Sequence, residues 1–109
     1  MRVYRVEHPN DPFGGRPWET DPFTKHWNQK PAPSNIKFRV EVCGCSNLRD
    51  FHSWWPKRAI KDIVKQGIAK VVVLNAPDAR REPGGQVVFT RKSARVIGHF
   101  DRNAKVVLK

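Results

Sequence analysis

The sequence is poor in cysteine and lacks a long apolar run. Two cysteines among 109 residues are too few for the disulfide framework of a small secreted protein. No run of about 18 apolar residues is present, which excludes a membrane-spanning helix. The opening residues MRVYR lead into no apolar segment, so we expect no secretory signal. These absences predict a cytoplasmic protein without a membrane partner.

Acidic residues are also scarce relative to basic ones. Lysine and arginine number 21 against ten aspartate and glutamate residues, which gives a net charge of +11. Residues 1–50 contain eight basic and six acidic residues, whereas residues 51–109 contain thirteen and four. Such a chain attracts polyanions. The composition predicts a nucleic acid (DNA or RNA) or nucleoprotein partner, although a basic surface that serves only solubility would look the same.

The hydrophobic pattern predicts one α+β domain over residues 1–109. Residues 2–8 and 36–42 alternate apolar and polar side chains, as half-buried strands do. Residues 46–66 carry helical spacing, and short β-branched runs between 68 and 108 predict the C-terminal strands. This order favours a mainly antiparallel sheet with one or two helices packed on one face.

The segment 9–35 contains no pattern of regular structure. Its six prolines remove backbone donors and restrict the preceding residues. A loop of this length is unusual inside a compact domain. It also contains four large aromatic residues, so we expect a long proline-rich and aromatic-rich loop that packs on the body: Phe13, Trp18, Phe23 and Trp27.

The helical segment has predicted boundaries. Cys43, Gly44 and Cys45 predict a turn after the second strand, and Ser46 then predicts the N-cap of a helix. Pro56 indicates either a kink or the first turn of a second helix, in which case Ser53 is the cap. The amphipathic pattern over 57–66 ends at Gly67, which suits a left-handed stop.

One face of the predicted second helix is basic. Lys57, Lys61 and Lys65 recur at every fourth position with Arg58 beside them. Like charges at this spacing cost a few tenths of a kcal/mol per pair, and cations oppose the dipole at a helix N-terminus. The pattern predicts phosphate contacts, unless the face is simply solvated. We expect three more cations to extend this surface: Arg91, Lys92 and Arg95.

Other chemistry finds little support in the sequence. Trp54 and Trp55 are candidates for base stacking, but adjacent helical residues face different ways, so at least one should belong to the core. The Cys43–Cys45 spacing does not match a zinc site, and buried free thiols explain the pair. The histidines show no pairing with a nucleophile. We therefore predict no catalytic residues, no metal and no cofactor.

The sequence combines five distinctive segments: VYRVEH at 3–8, HWNQKPAP at 26–33, Cys-Gly at 43–44, Leu-x5-Trp-Trp at 48–55 and GQVVF at 85–89. Together these segments resemble a family of small phage and prophage proteins. The resemblance implies an accessory role in the host cell cytoplasm, through nucleic acid or a host protein. Inhibition of a host enzyme is an alternative.

A second similarity is to ADP-ribosyltransferase-like domains. That family places an arginine on the first strand to hold NAD, and Arg5 occupies the matching position. The family also carries a glutamate just before a late strand. In this sequence Gln86 holds that place, and Glu82 lies a turn earlier. The family's Ser-Thr-Ser element is missing from the sequence. The resemblance implies an NAD-binding protein that has lost transfer activity.

Overall fold

The computed structural model describes residues 1–7, 36–37, 40–83 and 85–109, so the predicted loop over 9–35 lies outside the described residues. These residues form a mainly antiparallel sheet with two α-helices, which confirms the predicted α+β class. The single-domain boundary stays a prediction. In chain order the elements are β1 (Arg2–Glu7), β2 (Glu41–Cys45), α1 (Leu48–Trp54), α2 (Lys57–Gln66), β3 (Lys70–Asn75), β4 (Arg80–Arg81), β5 (Gln86–Thr90), a 3-10 turn (Arg91–Ser93), β6 (Arg95–Phe100) and β7 (Val106–Leu108).

Strand β1 lies at the centre of the sheet. The order of the described strands is β4-β5-β2-β1-β3-β6-β7, and every neighbouring pair is antiparallel. β1 pairs with β3 along its whole length, from Arg2 opposite Asn75 to Glu7 opposite Lys70. It meets β2 at Tyr4 opposite Cys45.

Both helices pack on one face of the sheet, as predicted. Phe51 and Trp54 of α1 and Ile60 and Ile63 of α2 are almost completely buried. Because helical residues at this spacing share a face, each helix presents a continuous apolar stripe. The stripes meet sheet residues in one cluster, which includes Tyr4, Val6, Cys43, Cys45, Val71, Val73, Val88 and Phe100.

The opposite face of the sheet carries a second buried cluster. Val42 and Phe89 share it with Leu74, although β1 and β2 lie between β5 and β3 in the sheet. The backbone N–H of Thr90, at the end of β5, donates to the carboxylate of Asp78, just before β4, at 3.2 Å, which continues the pairing of β4 with β5. Apolar side chains are therefore buried on both faces of the sheet.

The predicted strand over 36–42 starts too early among the described residues, because Ile36, Lys37 and Val40 lie outside β2, which begins at Glu41. The carbonyl of Lys37 accepts hydrogen bonds from the N–H groups of Val40 and Glu41, which closes a turn. The Glu41 carboxylate accepts from the Lys37 N–H at 2.9 Å and holds that turn. Val40, predicted to be buried, is 48% exposed. The predicted turn at Cys43–Cys45 is instead the second half of β2.

The helix boundaries correct two predicted caps. Asn47, not Ser46, caps α1, and its side-chain oxygen accepts from the Asp50 N–H at 2.8 Å. Pro56 precedes a second helix rather than a kink, and Ser53 lies inside α1 instead of capping α2. The left-handed stop at Gly67 is confirmed by its φ of 67°. Neither described helix has the length and apolar character needed to cross a membrane.

Candidate nucleic-acid interface

The exposed side of α2 carries four cations. Lys57, Arg58, Lys61 and Lys65 are all exposed, because the apolar stripe of α2 faces the sheet. None of the four forms an ion pair within the described part of the chain. The first turn of α2 contains no acidic residue, and its N-cap makes no side-chain hydrogen bond. We call these four residues the α2 basic face.

A pocket of about 630 Å³ adjoins the α2 basic face. Lys57 belongs to both, so the pocket and the lysine row form one continuous surface. None of the described lining residues is acidic, whereas three are basic. Most of the remaining described lining is apolar or small. The described lining residues are Leu48, Arg49, His52, Ser53, Lys57, Ala104, Lys105 and Val106.

Two polar groups in this pocket, His52 and Ser53, have defined orientations, whereas Arg49 does not. His52 Nδ1 lies 3.1 Å from the Trp55 carbonyl oxygen; because a carbonyl only accepts, Nδ1 carries the proton. The Ser53 hydroxyl donates to the Asp50 carbonyl at 2.7 Å. The Arg49 side chain is 91% exposed, and its Nε lies 3.8 Å from the Asp50 carboxylate. A contact of this length, from a side chain this exposed, holds Arg49 only weakly.

The other predicted nucleic-acid-binding residues lie elsewhere. Ala94, between Lys92 and Arg95, packs against the second cluster, on the face opposite the helices. Lys92 and Arg95 are exposed, but the structure does not bring them together with α2. Arg91 is engaged differently: its guanidinium forms two hydrogen bonds with the Glu7 carboxylate, at 2.7 and 3.0 Å.

Two further arginines of the basic half are held by polar neighbours. Arg80 forms a two-point contact with the Glu41 carboxylate and lies 3.4 Å from Glu82. The hydrogen bond from Arg80 lowers the pKa of Glu41, and burial opposes it only in part. Arg81 donates to the Ser46 hydroxyl at 3.0 Å. The surplus charge is therefore concentrated in the lysines and in the arginines without carboxylate partners.

The three residues suggested by the ADP-ribosyltransferase resemblance do not converge. Gln86 is opposite Cys45, which is opposite Tyr4, so these side chains share the helix-facing side of the sheet. Arg5, next to Tyr4, points to the other side. Its side chain is fully buried against Glu7 and the Cys43 carbonyl, while Glu82 lies beside Arg80.

Arg5, Glu7 and Arg91 form a buried charge network that sequence analysis missed. Arg5 Nε donates to the Glu7 carboxylate at 3.1 Å. Arg91 donates two hydrogen bonds to the same carboxylate. Burial raises the pKa of Glu7, but the hydrogen bonds and charges of Arg91 and Arg5 outweigh it and lower the pKa overall. The alternation in β1 could have indicated the network, since Arg5 and Glu7 share the face of buried Val3.

The paired tryptophans and the paired cysteines both lie in the core. Trp54 and Trp55 are both buried, at 2% and 0% exposure, because Trp55 follows the end of α1 in an extended conformation that turns its side chain inward. Neither can stack on a base. Cys43 and Cys45 are buried in β2 and are not joined in a disulfide, as the sequence indicated. Within the described residues, no group of three or more potential metal ligands is present.

Comparison with known proteins identifies one family. The family model described as the bacteriophage T4 Y00F protein matches residues 1–103, which covers nearly the whole chain and every described element up to the last turn before β7. No curated protein and no solved structure matches significantly. The chain therefore belongs to the bacteriophage T4 Y00F protein family.

Proposed function

We propose that this phage protein binds nucleic acid through the α2 basic face and acts without catalysis. The observation that supports this most is the contrast between the cations of α2 and two arginines outside it, Arg80 in β4 and Arg91 in the 3-10 turn. Arg80 and Arg91 are neutralised by carboxylates, whereas all four cations of α2 face solvent without an acidic partner in the described residues. A surface of this kind releases counterions when it contacts phosphates.

The local energetics of α2 support the same proposal. Lys57 and Arg58 oppose the helix dipole at the N-terminus, and Lys57, Lys61 and Lys65 repel one another along the helix. The helix extends over ten residues, so the first and last of these lysines lie about 12 Å apart along the axis. That span reaches several phosphates of a nucleic acid backbone.

Replacing Lys57, Lys61 and Lys65 by glutamate is expected to abolish retention on DNA at ~100 mM salt. Loss of three phosphate contacts should lower the slope of log K against log salt by about 2 to 3. Fluorescence anisotropy with a labelled duplex over a salt series measures both quantities, and circular dichroism checks the fold. Unchanged affinity in the folded triple variant would remove the α2 basic face as the binding surface.

A matched pair of double variants separates position from total charge. K61E with K65E and K92E with R95E change the net charge equally, but only the first pair lies on α2. We expect the first pair to weaken DNA binding clearly more than the second. Equal losses would mean that only the net charge matters. Retention of a protein partner from nuclease-treated host lysate, without any DNA binding, would instead favour the host-inhibitor alternative.

Lys57→Glu is expected to stabilise the protein while weakening its binding to DNA. A carboxylate at the first helical position complements the dipole by about 0.3–1 kcal/mol and forms a favourable pair with Lys61. Lys65→Glu is the control, because it also relieves the repulsion with Lys61 and forms a comparable pair, but it places a carboxylate in the last turn, where the helix dipole disfavours it. Urea unfolding should therefore show Lys57→Glu to be the more stable variant by about 0.6–2 kcal/mol, while both lose affinity. Equal stability of the two variants, or a more stable Lys65→Glu, would contradict this account.

A further inference from the structure

The pocket beside α2 combines cations with apolar and planar side chains, and binding to phosphates alone would not require the apolar and planar ones. Lys57 and Lys105 can each reach a phosphate, but Leu48 and Val106 offer apolar surface, and Leu48 is 41% exposed. His52 and Arg49 add two planar groups to the same lining. Planar guanidinium and imidazole groups stack on unpaired bases. Cations beside an apolar, stacking surface are the chemistry that recognises a nucleotide rather than a bare anion.

The size and position of the pocket fit the same occupant. A volume of about 630 Å³ lies within the usual range for sites that enclose a small organic ligand. Bases inside a duplex are stacked and cannot enter a pocket, whereas those of a single strand can be turned out of the stack. Because Lys57 belongs to both surfaces, a strand that follows the lysine row of α2 would lead directly into the pocket.

We propose that this pocket receives one unpaired nucleotide of a single-stranded nucleic acid whose backbone lies along the α2 basic face. This rests on the proposed function and deepens it. Arg49 and His52 contact the base, while Lys57 and Lys105 contact the adjoining phosphates. DNA and RNA share this chemistry, so both are tested.

The pocket can be filled without any change in charge. Ser53 is exposed and lines the pocket from α1, so Ser53→Trp places a large side chain where the base would lie. We expect the affinity for a thymidine decamer or a uridine decamer to fall at least about five-fold, the loss of one stacked base. The affinity for a DNA duplex of the same length should stay within about two-fold, because the phosphate contacts remain. The matched control is Ser93→Trp, at an exposed position of the 3-10 turn outside the pocket.

Arg49→Lys provides a second variant that keeps the charge and removes the planar group. It should weaken both decamers and spare the duplex, and a difference between the DNA and RNA decamers identifies which strand the pocket prefers. Equal effects on decamers and duplex, or no effect on the decamers, would overturn the nucleotide pocket and leave the proposed function intact. Failure of the parent protein to bind any of the three probes would overturn both.

Discussion

Glu7→Gln is expected to destabilise the protein by about 3–5 kcal/mol, the usual cost of removing one partner from a buried ion pair. Arg5 is 1% exposed, and the side chain of Arg91 is 19% exposed. Both guanidinium groups donate to the Glu7 carboxylate, so a neutral amide leaves two positive charges close together with little solvent. Urea unfolding followed by circular dichroism measures the change.

Glu82→Gln is the matched control for this variant. Glu82 is itself only 12% exposed, but its contact with Arg80 is longer, at 3.4 Å, and Arg80 is 42% exposed and keeps its contacts with Glu41, so no cation is left without a carboxylate. The same chemical change should therefore cost less than about 1 kcal/mol. Comparable losses of unfolding free energy in the two variants would show that the buried network around Glu7 does not stabilise the protein through its charge.

The pH dependence of the unfolding free energy, compared between the parent protein and Glu7→Gln, provides a second check. Burial raises the pKa of Glu7, yet Arg91 and Arg5 lower it overall below its ordinary value of 4.5. A lowered pKa in the folded state contributes stability that is present above the ordinary value and is lost as pH falls through the lowered value. The difference in unfolding free energy between the parent and Glu7→Gln should thus shrink below about pH 4.5. A difference that stays constant into acid would contradict the role of the carboxylate charge.

The parts of the fold with local causes were predictable from the sequence. The amphipathic pattern over 57–66 and the left-handed stop at Gly67 coincide with α2 and its cap, because helix periodicity and a glycine C-cap are decided by neighbouring residues. The solvent-facing lysines of α2 follow from the same pattern. The pocket could not be predicted from this local pattern. Lys105 lies beside α1 and α2 only because β7, which follows it, pairs with β6.

Features decided by distant residues were not predictable in this way. The alternation over 36–42 fits a strand, yet the Glu41 carboxylate closes a turn with Lys37 and is held by Arg80 from β4. Likewise, Arg5 looks like an exposed ligand-binding arginine until Arg91 from the other end of the chain is known to share its carboxylate partner. In both cases a tertiary ion pair outweighs the local pattern.

Gly44→Ala is expected to destabilise the protein by about 3 kcal/mol or more, at the upper end of the cost of overpacking. The sequence suggested that Gly44 permits a turn, but it lies inside β2, close to the neighbouring central strand β1. A Cβ atom at this position would lie 2.5 Å from Val3 Cγ1 and 2.8 Å from the Tyr4 carbonyl oxygen. The Val3 side chain is fully buried, and Tyr4 O is part of the backbone of β1, so neither can move away easily. Thermal unfolding and urea titration should both show the loss.

Gly67→Ala separates this steric cost from the cost of backbone conformation. Gly67 has a φ of +67°, yet a Cβ atom there would meet nothing within 4 Å, so only the strain of the left-handed conformation, about 1–2 kcal/mol, should appear. Combining Gly44→Ala with Val3→Ala removes one of the two clashes, and the double variant should be less destabilised than the sum of the single ones. Strict additivity of the two losses of unfolding free energy, or a larger loss for Gly67→Ala than for Gly44→Ala, would mean that the close approach of β1 to β2 does not require a glycine.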